Sequence, residues 1–300
     1  LIAVLDDQSI AHSKSDHTKL LAAIRSLTLS EIAVANIGLP GYINGLTLAP
    51  NIGTHAIQID AGRCRSSDNA TTGILAVAVQ KLPTVPWDLT TGGLASNNTW
   101  ADPYFTRVWA LHKANGNDIN FGFDQDATAT NLLSDASGDG FTTARQIGWG
   151  VRSGSTSWIP YSNAVNPDVF LSGTVKTPVN AVLIASTNAQ ARDLDIPEGT
   201  FHIGTHSCTI HNDVDNTTKH ALLGYDGSPP AATANLMNFK YRAPVADFDV
   251  YSVFRRSVSN PGGSATLQGR IWNRFDFAPA APGNTYSLTT EGFTWSRVSI

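Results

Sequence analysis

Charge is scarce in this chain. Asp, Glu, Lys and Arg make up only 15% of its 300 residues, and the formal net charge is -4. A protein that grips nucleic acid needs a clear basic surface, and this composition supplies none. Long apolar runs are missing as well, none approaching the ~18 residues of a membrane-spanning helix. The opening LIAVLDDQ is too short and wrongly charged for a secretory signal, and is expected to be the cut or processed end of a longer chain. Cysteine is limited to Cys64 and Cys208. Two cysteines build no disulfide framework, so a single bridge and two small buried thiols stay open, the thiols favoured. No G-x-S-x-G elbow, H-E-x-x-H helix or phosphate-cradling loop occurs, and no repeat of fixed period signals a solenoid or shaft. No catalytic residue, no cofactor and no metal is assigned.

Helix signal is nearly absent too. From Ser15 the chain runs SDHTKLLAAIRSLTLSEIAVANIG, with Leu20, Leu21, Ile24 and Leu27 at helical spacing. Ser15 or Asp16 can cap this helix, which is expected to end near Thr28, with a short turn over 30–35 before Gly38 and Pro40. So short a helix needs a surface to lie on. That surface is either its own β-domain or the axis of an oligomer.

What the chain has instead is turns and alternation. Gly numbers 25 and Pro 15, and after Pro40 the apolar period changes to two. Leu46 and Leu48 alternate with Thr47, then Ile52, His55, Ile57 and Ile59 lead into the Asp60-Ala61-Gly62 turn. GILAVAVQK (73–81) reads as one continuous apolar strand at a sandwich centre, broken by LPTVPW. In TWADPYFTRVWALHK, Tyr104, Thr106, Val108 and Ala110 take one face while Phe105, Arg107, Trp109 and Leu111 take the other. Aromatic residues on that second face predict a strand covered on both sides. INFGFDQD (119–126) should pair with it through the NGND turn. ARQIGWGVR then places Ile147, Trp149 and Val151 in period two, ahead of a Ser-Gly-Ser turn and a return strand.

Several of these residues carry a resemblance. They are Pro40-Gly41-Tyr42 with Gly45-Leu46-Thr47-Leu48, the Asp60-Ala61-Gly62-Arg63-Cys64-Arg65 turn, the block ending Lys81-Leu82 and Trp87, Gly92-Gly93-Leu94, Asn98-Thr99-Trp100 and Arg145-Gln146-Ile147-Gly148. In this order they resemble a family of bacteriophage and prophage tail-fibre or tail-associated proteins. The closing Glu291-Gly292-Phe293-Thr294-Trp295-Ser296-Arg297 resembles that family's final Gly-aromatic strand. The likeness is clearest over residues 40–161. Its departure is at Trp100-Ala101-Asp102-Pro103-Tyr104, where similar chains carry a Trp-Tyr-His-like strand start; an insertion or shifted register is implied. The resemblance implies a virion component and names no receptor.

The second half repeats the strand-and-turn texture. Residues 161–174 read as a connection and 179–186 as an apolar strand. DLDIPEGTFHIGTHSCTIHN reads as strand-turn-strand about Pro197-Glu198-Gly199. Residues 246–257 and 265–277 alternate around an Asn260-Pro261-Gly262-Gly263 hairpin, and the C-terminus adds a strand pair.

The expected fold is all-β, an antiparallel β-sandwich of jelly-roll type with a short N-terminal helix. The expected divisions are a helical connector or oligomerisation segment over 1–39, a β-sandwich domain over 40–174, and over 175–300 a second β-rich domain or the continuation of the first.

Candidate sites divide by chemistry. His202, His206 and Cys208 share a face of an extended strand, with His211 nearby, yet the spacing fits no zinc signature; ordinary cross-strand histidines are the better reading. Asp135, Ser137 and Asp139 with Gly140 form half a calcium loop, but Gln146 stands where the closing Glu belongs, so an Asx-rich turn is expected. Asp193, Asp195 and Glu198, or Asp247 with Asp249, are the acids a glycan-cleaving site would use. Sugar binding by aromatic faces is favoured over cleavage, with Trp158 and Tyr161, or Trp272 and Arg274, as the expected ligand-binding residues. The alternative is that Trp109, Trp149 and Trp158 are core residues or lie in a subunit interface.

The functional expectation is a tail-fibre or tail-tip subunit on the virion. It would form a homotrimer, contact other tail or virion proteins, and bind a bacterial surface glycan or protein, with no nucleic acid and no membrane insertion. The alternatives are a capsid decoration or baseplate protein and, behind them, a glycan depolymerase.

Overall fold

The structure is a computed structural model. It describes residues 41–51, 54–100, 104–115, 118–152, 161–166, 168–183, 190–210, 218–219, 221–224, 241–242, 246–256, 267–275 and 285–295, with backbone alone for parts of the second half. The N-terminal helix expected over 15–28 lies outside these residues.

The described chain is mostly β-sheet. Strands β1 (Ile43–Gly45), β4 (Gly62–Arg65) and β5 (Thr72–Leu75) form a small sheet in the order β1-β4-β5. A seven-stranded sheet uses β2 (Leu48–Pro50), β3 (Ile57–Ile59), β6 (Val79–Pro86), β7 (Gly92–Leu94), β8 (Tyr104–Lys113), β9 (Ile119–Asp124) and β10 (Phe141–Arg152). Its order is β10-β8-β9-β7-β6-β3-β2. A five-stranded sheet, β11-β12-β20-β14-β18, joins β11 (Tyr161–Asn166), β12 (Val169–Leu183), β20 (Thr285–Thr294), β14 (Phe201–Ile210) and β18 (Ala246–Arg256). A smaller sheet, β13-β19-β16, holds β13 (Gln190–Pro197), β19 (Gln268–Phe275) and β16 (Ala221–Gly224), and β15 (Thr218–Lys219) pairs with β17 (Tyr241–Arg242). Position 174, expected as a boundary, falls inside β12.

The long hairpin is as the NGND turn predicted: β8 and β9 pair antiparallel from His112↔Ile119 to Arg107↔Asp124. Elsewhere pairing departs from expectation. The seven-stranded sheet is mixed, because the short β7 runs parallel to both β6 and β9. The apolar run 73–81 is two strands, not one, and Val77 between them is 74% exposed. Strand β6 instead continues through Pro83 to Pro86. Its pairing to β3 stops at Lys81, so no rung on that side needs the N–H that Pro83 lacks. The turn at Glu198-Gly199 is real, with Gly199 at φ 71°, but β13 and β14 enter different sheets. Likewise β18 pairs with β14 and β19 with β13 and β16, instead of with each other. Within the stretch 161–174, residues 161–166 and 169–174 are strand; at the C-terminus Thr285–Thr294 form the central strand β20, and residues 296–300 of the expected pair lie outside the described residues.

The seven-stranded sheet curls. Its end strands are β10 and β2, yet a Cβ placed on Gly148 of β10 would stand 2.4 Å from Leu48 Cδ1 of β2 and 3.1 Å from Phe170 Cζ of β12. Any side chain there would force Leu48 to shift. At the same place Leu48 N donates to the buried Asn163 Oδ1 of β11 at 2.6 Å. Phe170 and Phe293 stack at 4.8 Å and 6°, and Tyr161 meets Phe293 edge-on at 5.2 Å. One apolar core therefore runs from Leu46, Ile57, Val108 and Phe121 to Phe170, Leu194, Ile196 and Phe293. Period two explains the other side of the five-stranded sheet: Phe170, His202 and Phe293 point in, while Leu171 (47%) and Phe201 (44%) point out.

A second core lies on the opposite face of β8 and β10, as the aromatic pattern of β8 implied. Trp109, Leu111, Phe141 and Ala144 pack there against Leu132 and Ala136 of α1 (Thr130–Ala136). The expected Asx-rich turn at 135–140 is therefore the end of a helix followed by a short 3-10 turn at Ser137–Asp139, and Gly140 at φ 83° ends it. No side chain of the helix's own N-cap closes it. The buried Asp124 at the end of β9 does so instead, accepting from Leu132 N at 3.0 Å.

Two buried histidines make stability depend on acid. Burial, aided by Arg145, holds His112 down to about 4 from the ordinary 6.5. Burial does the same to His202, against the opposing pull of the Thr289 carbonyl. With folded values below unfolded ones, their contribution is whole above pH 6.5 and lost as pH falls through about 4. The cost of acid is on the order of 3 kcal/mol per histidine. Urea melts across that window should fall in midpoint, and a flat profile in a His112→Gln, His202→Gln double variant would confirm the source. A second expectation concerns the junction. Phe170→Ala should cost ~3–5 kcal/mol, and calorimetry should move the whole transition; two peaks with only one displaced would mean that the halves unfold independently.

Candidate functional site

Three segments distant in sequence meet where β8 begins and β10 ends. His55 follows β2, Trp100 precedes β8, Tyr104 opens β8, and Arg152 closes β10 opposite Tyr104 in the ladder. The Trp100 ring meets Tyr104 edge-on at 5.2 Å and His55 at 5.9 Å, and Arg152 Cζ lies 4.8 Å from its centroid. Tyr104 is buried, while His55, Trp100 and Arg152 are half-buried. The cluster is thus a rigid aromatic base with a cation and two rings reaching solvent. Burial raises the Tyr104 phenol well above its ordinary value, so it stays a neutral hydrogen-bonding group. Contacts of Arg with indole contribute ~0.5–2 kcal/mol each.

A second stack occupies the other face of the same strand pair. Arg107, directly opposite Trp149, lies 5.0 Å above that ring, and Trp295 meets Trp149 edge-on at 6.5 Å. Arg107 also donates to the Gln125 carbonyl, and Trp149 is buried. This stack serves the core more than the surface.

The sequence-predicted ligand residues are dispersed. Trp158 lies outside the described residues. Tyr161, expected to bind a ligand, is instead buried against Phe293 in the main core, a position that offers a ligand no ring face. Trp272 and Arg274 stand on one face of β19, with Trp272 opposite Ala191 and Gly224, and Arg274 opposite Leu222. Of the acids, Asp193 is paired with Arg270 at 2.8 Å. Asp247 and Asp249 lie in a different sheet, on β18. His202 is a buried cross-strand residue, its Nε2 3.1 Å from the Thr289 carbonyl oxygen. His206 and Cys208 follow on β14, and His211 lies outside the described residues. Among the described residues no group of three His, Cys, Asp or Glu side chains could hold a metal ion. Asp135, of the half calcium loop, accepts instead from Ser96 N at 2.7 Å. Cys64 is buried, its Sγ 3.4 Å from His112 Nε2.

The sequence reading placed His55 and Tyr104 on strands and Trp100 in the family resemblance, but made none of His55, Trp100, Tyr104 and Arg152 a candidate site residue. Nothing in period or spacing links residues 55, 100 and 152; the curl of the sheet brings them together.

No helix among the described residues is long and apolar enough to cross a membrane, which leaves strand-based crossing untouched. No protein-family model matches the chain, and no curated protein matches it.

If the cluster is a surface platform, Trp100→Ala should cost only about 1–2 kcal/mol, against ~3–5 kcal/mol for Tyr104→Ala. Urea denaturation of the two variants decides this. Equal losses would make Trp100 a core residue.

Proposed function

We propose that this chain is a virion structural protein, a tail-fibre or tail-tip subunit that holds bacterial surface glycan by non-covalent contacts. The observation that carries the reading is the Trp100 cluster: half-buried rings and a guanidinium, held by strand ends of a rigid all-β scaffold. Rings and planar cations at the rim of a rigid sheet bind polar, ring-shaped ligands with little ordering cost. The resemblance over residues 40–161 supports the virion setting. The curled sheet and the five-stranded sheet, with a shared core between them, support a sandwich of jelly-roll type. The proposed assembly is a homotrimer attached to other tail proteins. Each site then makes weak contacts, and copy number turns them into lasting attachment.

A non-adhesive capsid or baseplate role is the second reading, favoured by how many of the aromatic side chains serve the core. A depolymerase is less well supported, because Asp193 is engaged by Arg270, and Asp247 and Asp249 on β18 belong to a different sheet from Asp193 and Asp195 on β13.

The test is binding of the purified trimer, its mass checked in solution, to immobilised bacterial lipopolysaccharide and teichoic acid preparations. Attachment that weakens about tenfold or more in Trp100→Ala is the expected result. Attachment to none, with incorporation into particles intact, would favour the structural role. Release of reducing ends would favour the depolymerase.

A further inference from the structure

We infer that His112 is an acid-operated latch on the small sheet: its protonation lets the β4–β5 hairpin lift from β8 while the seven-stranded sheet holds. One rung of the hairpin closes over the imidazole. Cys64 and Gly73 are ladder partners, and they take the two sides of the ring. Cys64 Sγ lies 3.4 Å from Nε2, and a Cβ on Gly73 would stand 3.0 Å from Nδ1. His112 is fully buried there, and its Nδ1 has no hydrogen-bond partner among the described residues.

That setting accommodates a neutral ring and not a charged one. Imidazolium donates from both nitrogens. One N–H would meet a sulfur, a weak acceptor, and the other would be buried unpaired. The ladder neighbours, Thr143 on β10 and Ile119 on β9, carry no charge. The charged groups that face the ring are Arg145 of β10 and, from the turn 66–71, Asp68. Asp68 is exposed and already accepts from Ser66 Oγ and Ala70 N. Arg145 is buried, and its guanidinium pins the hairpin turn. Its Nε donates to the Arg65 carbonyl at 3.1 Å, and its Nη2 to the Ser66 carbonyl at 2.8 Å and Asn69 Oδ1 at 3.2 Å. A proton on His112 therefore sets a second buried cation beside the group that holds the turn.

The hairpin is also the weaker side of the contact. Strands β1, β4 and β5 have three or four residues each, against ten in β8 and twelve in β10. Short ladders open before long ones. Asn69 Oδ1 accepts from Gly41 N at 2.8 Å as well, so the opening extends to the entry into β1. Once water reaches the ring, its proton affinity returns from about 4 to the ordinary 6.5. Opening becomes easier as pH falls below 6.5 and gains nothing more below about 4; between them it rises by up to about tenfold per pH unit.

Hydrogen exchange of the full chain, followed by mass spectrometry from above pH 6.5 down to about 4, tests this. Rates are corrected for the pH dependence of exchange itself, and amides of 62–75 are compared with those of 119–124 and 141–152. Opening of 62–75 should rise by up to about tenfold per pH unit, while the other two segments stay protected. His112→Gln cannot take the proton and should flatten the rise; His202→Gln should leave it in place. A rise shared equally by all three segments, or lost in His202→Gln, would mean general acid unfolding and overturn the latch. So would a rise that persists in His112→Gln. If His112→Gln does not fold, the native chain and His202→Gln still separate the two outcomes.

Discussion

The approach of β10 to β2 at Gly148 is the constraint on which the described fold rests. These are the two ends of the seven-stranded order, and a side chain at residue 148 would collide with Leu48 and Phe170. With no Cβ in the way, the sheet can curl until Leu48, Phe170 and the Phe170–Phe293 stack close into one core. A sheet that bends back on itself also needs its backbone groups satisfied where the ladder ends. Asn163 does this for the Leu48 N–H, tying β11 to β2 by a side chain where no rung exists.

The same device recurs wherever loops or short elements join the sheets. Asp124 closes α1 from the end of β9, and its second oxygen takes Asn98 Nδ2 and Asp126 N. Lys81, fully buried in β6, donates to the carbonyls of Asp88 and Gly92 and so holds the turn before β7. Burial pulls its ammonium down to about 8. Arg145 of β10 donates to the carbonyls of Arg65 and Ser66, anchoring the loop that follows β4. In each of these three cases the polar group of a buried side chain is committed to architecture.

The Trp100 cluster is a by-product of that architecture. Tyr104 and Arg152 are ladder partners, so the register of β8 and β10 alone sets a phenol beside a guanidinium. The loop entering β8 then lays Trp100 across both, and the curl carries His55 in from the far end of the sheet. Rigidity of this kind lowers the ordering cost of any contact made there.

The chain by itself determined what local chemistry can decide. Alternation from Leu46 onward, the NGND turn and the double-faced aromatic pattern of β8 marked an all-β protein, its longest hairpin and a strand covered on both sides. Those features depend on neighbours a few residues apart. Tertiary structure decided the rest: that 73–81 breaks at an exposed Val77, that β7 runs parallel, that β13 and β14 part into different sheets, and that Tyr161 is core. It also decided that residues 55, 100, 104 and 152 form one cluster. Strand partners and side-chain encounters between distant segments follow from which apolar faces bury one another, and period-two patterns are alike on every strand. A sequence states which residues seek burial, and only the closed core states against what.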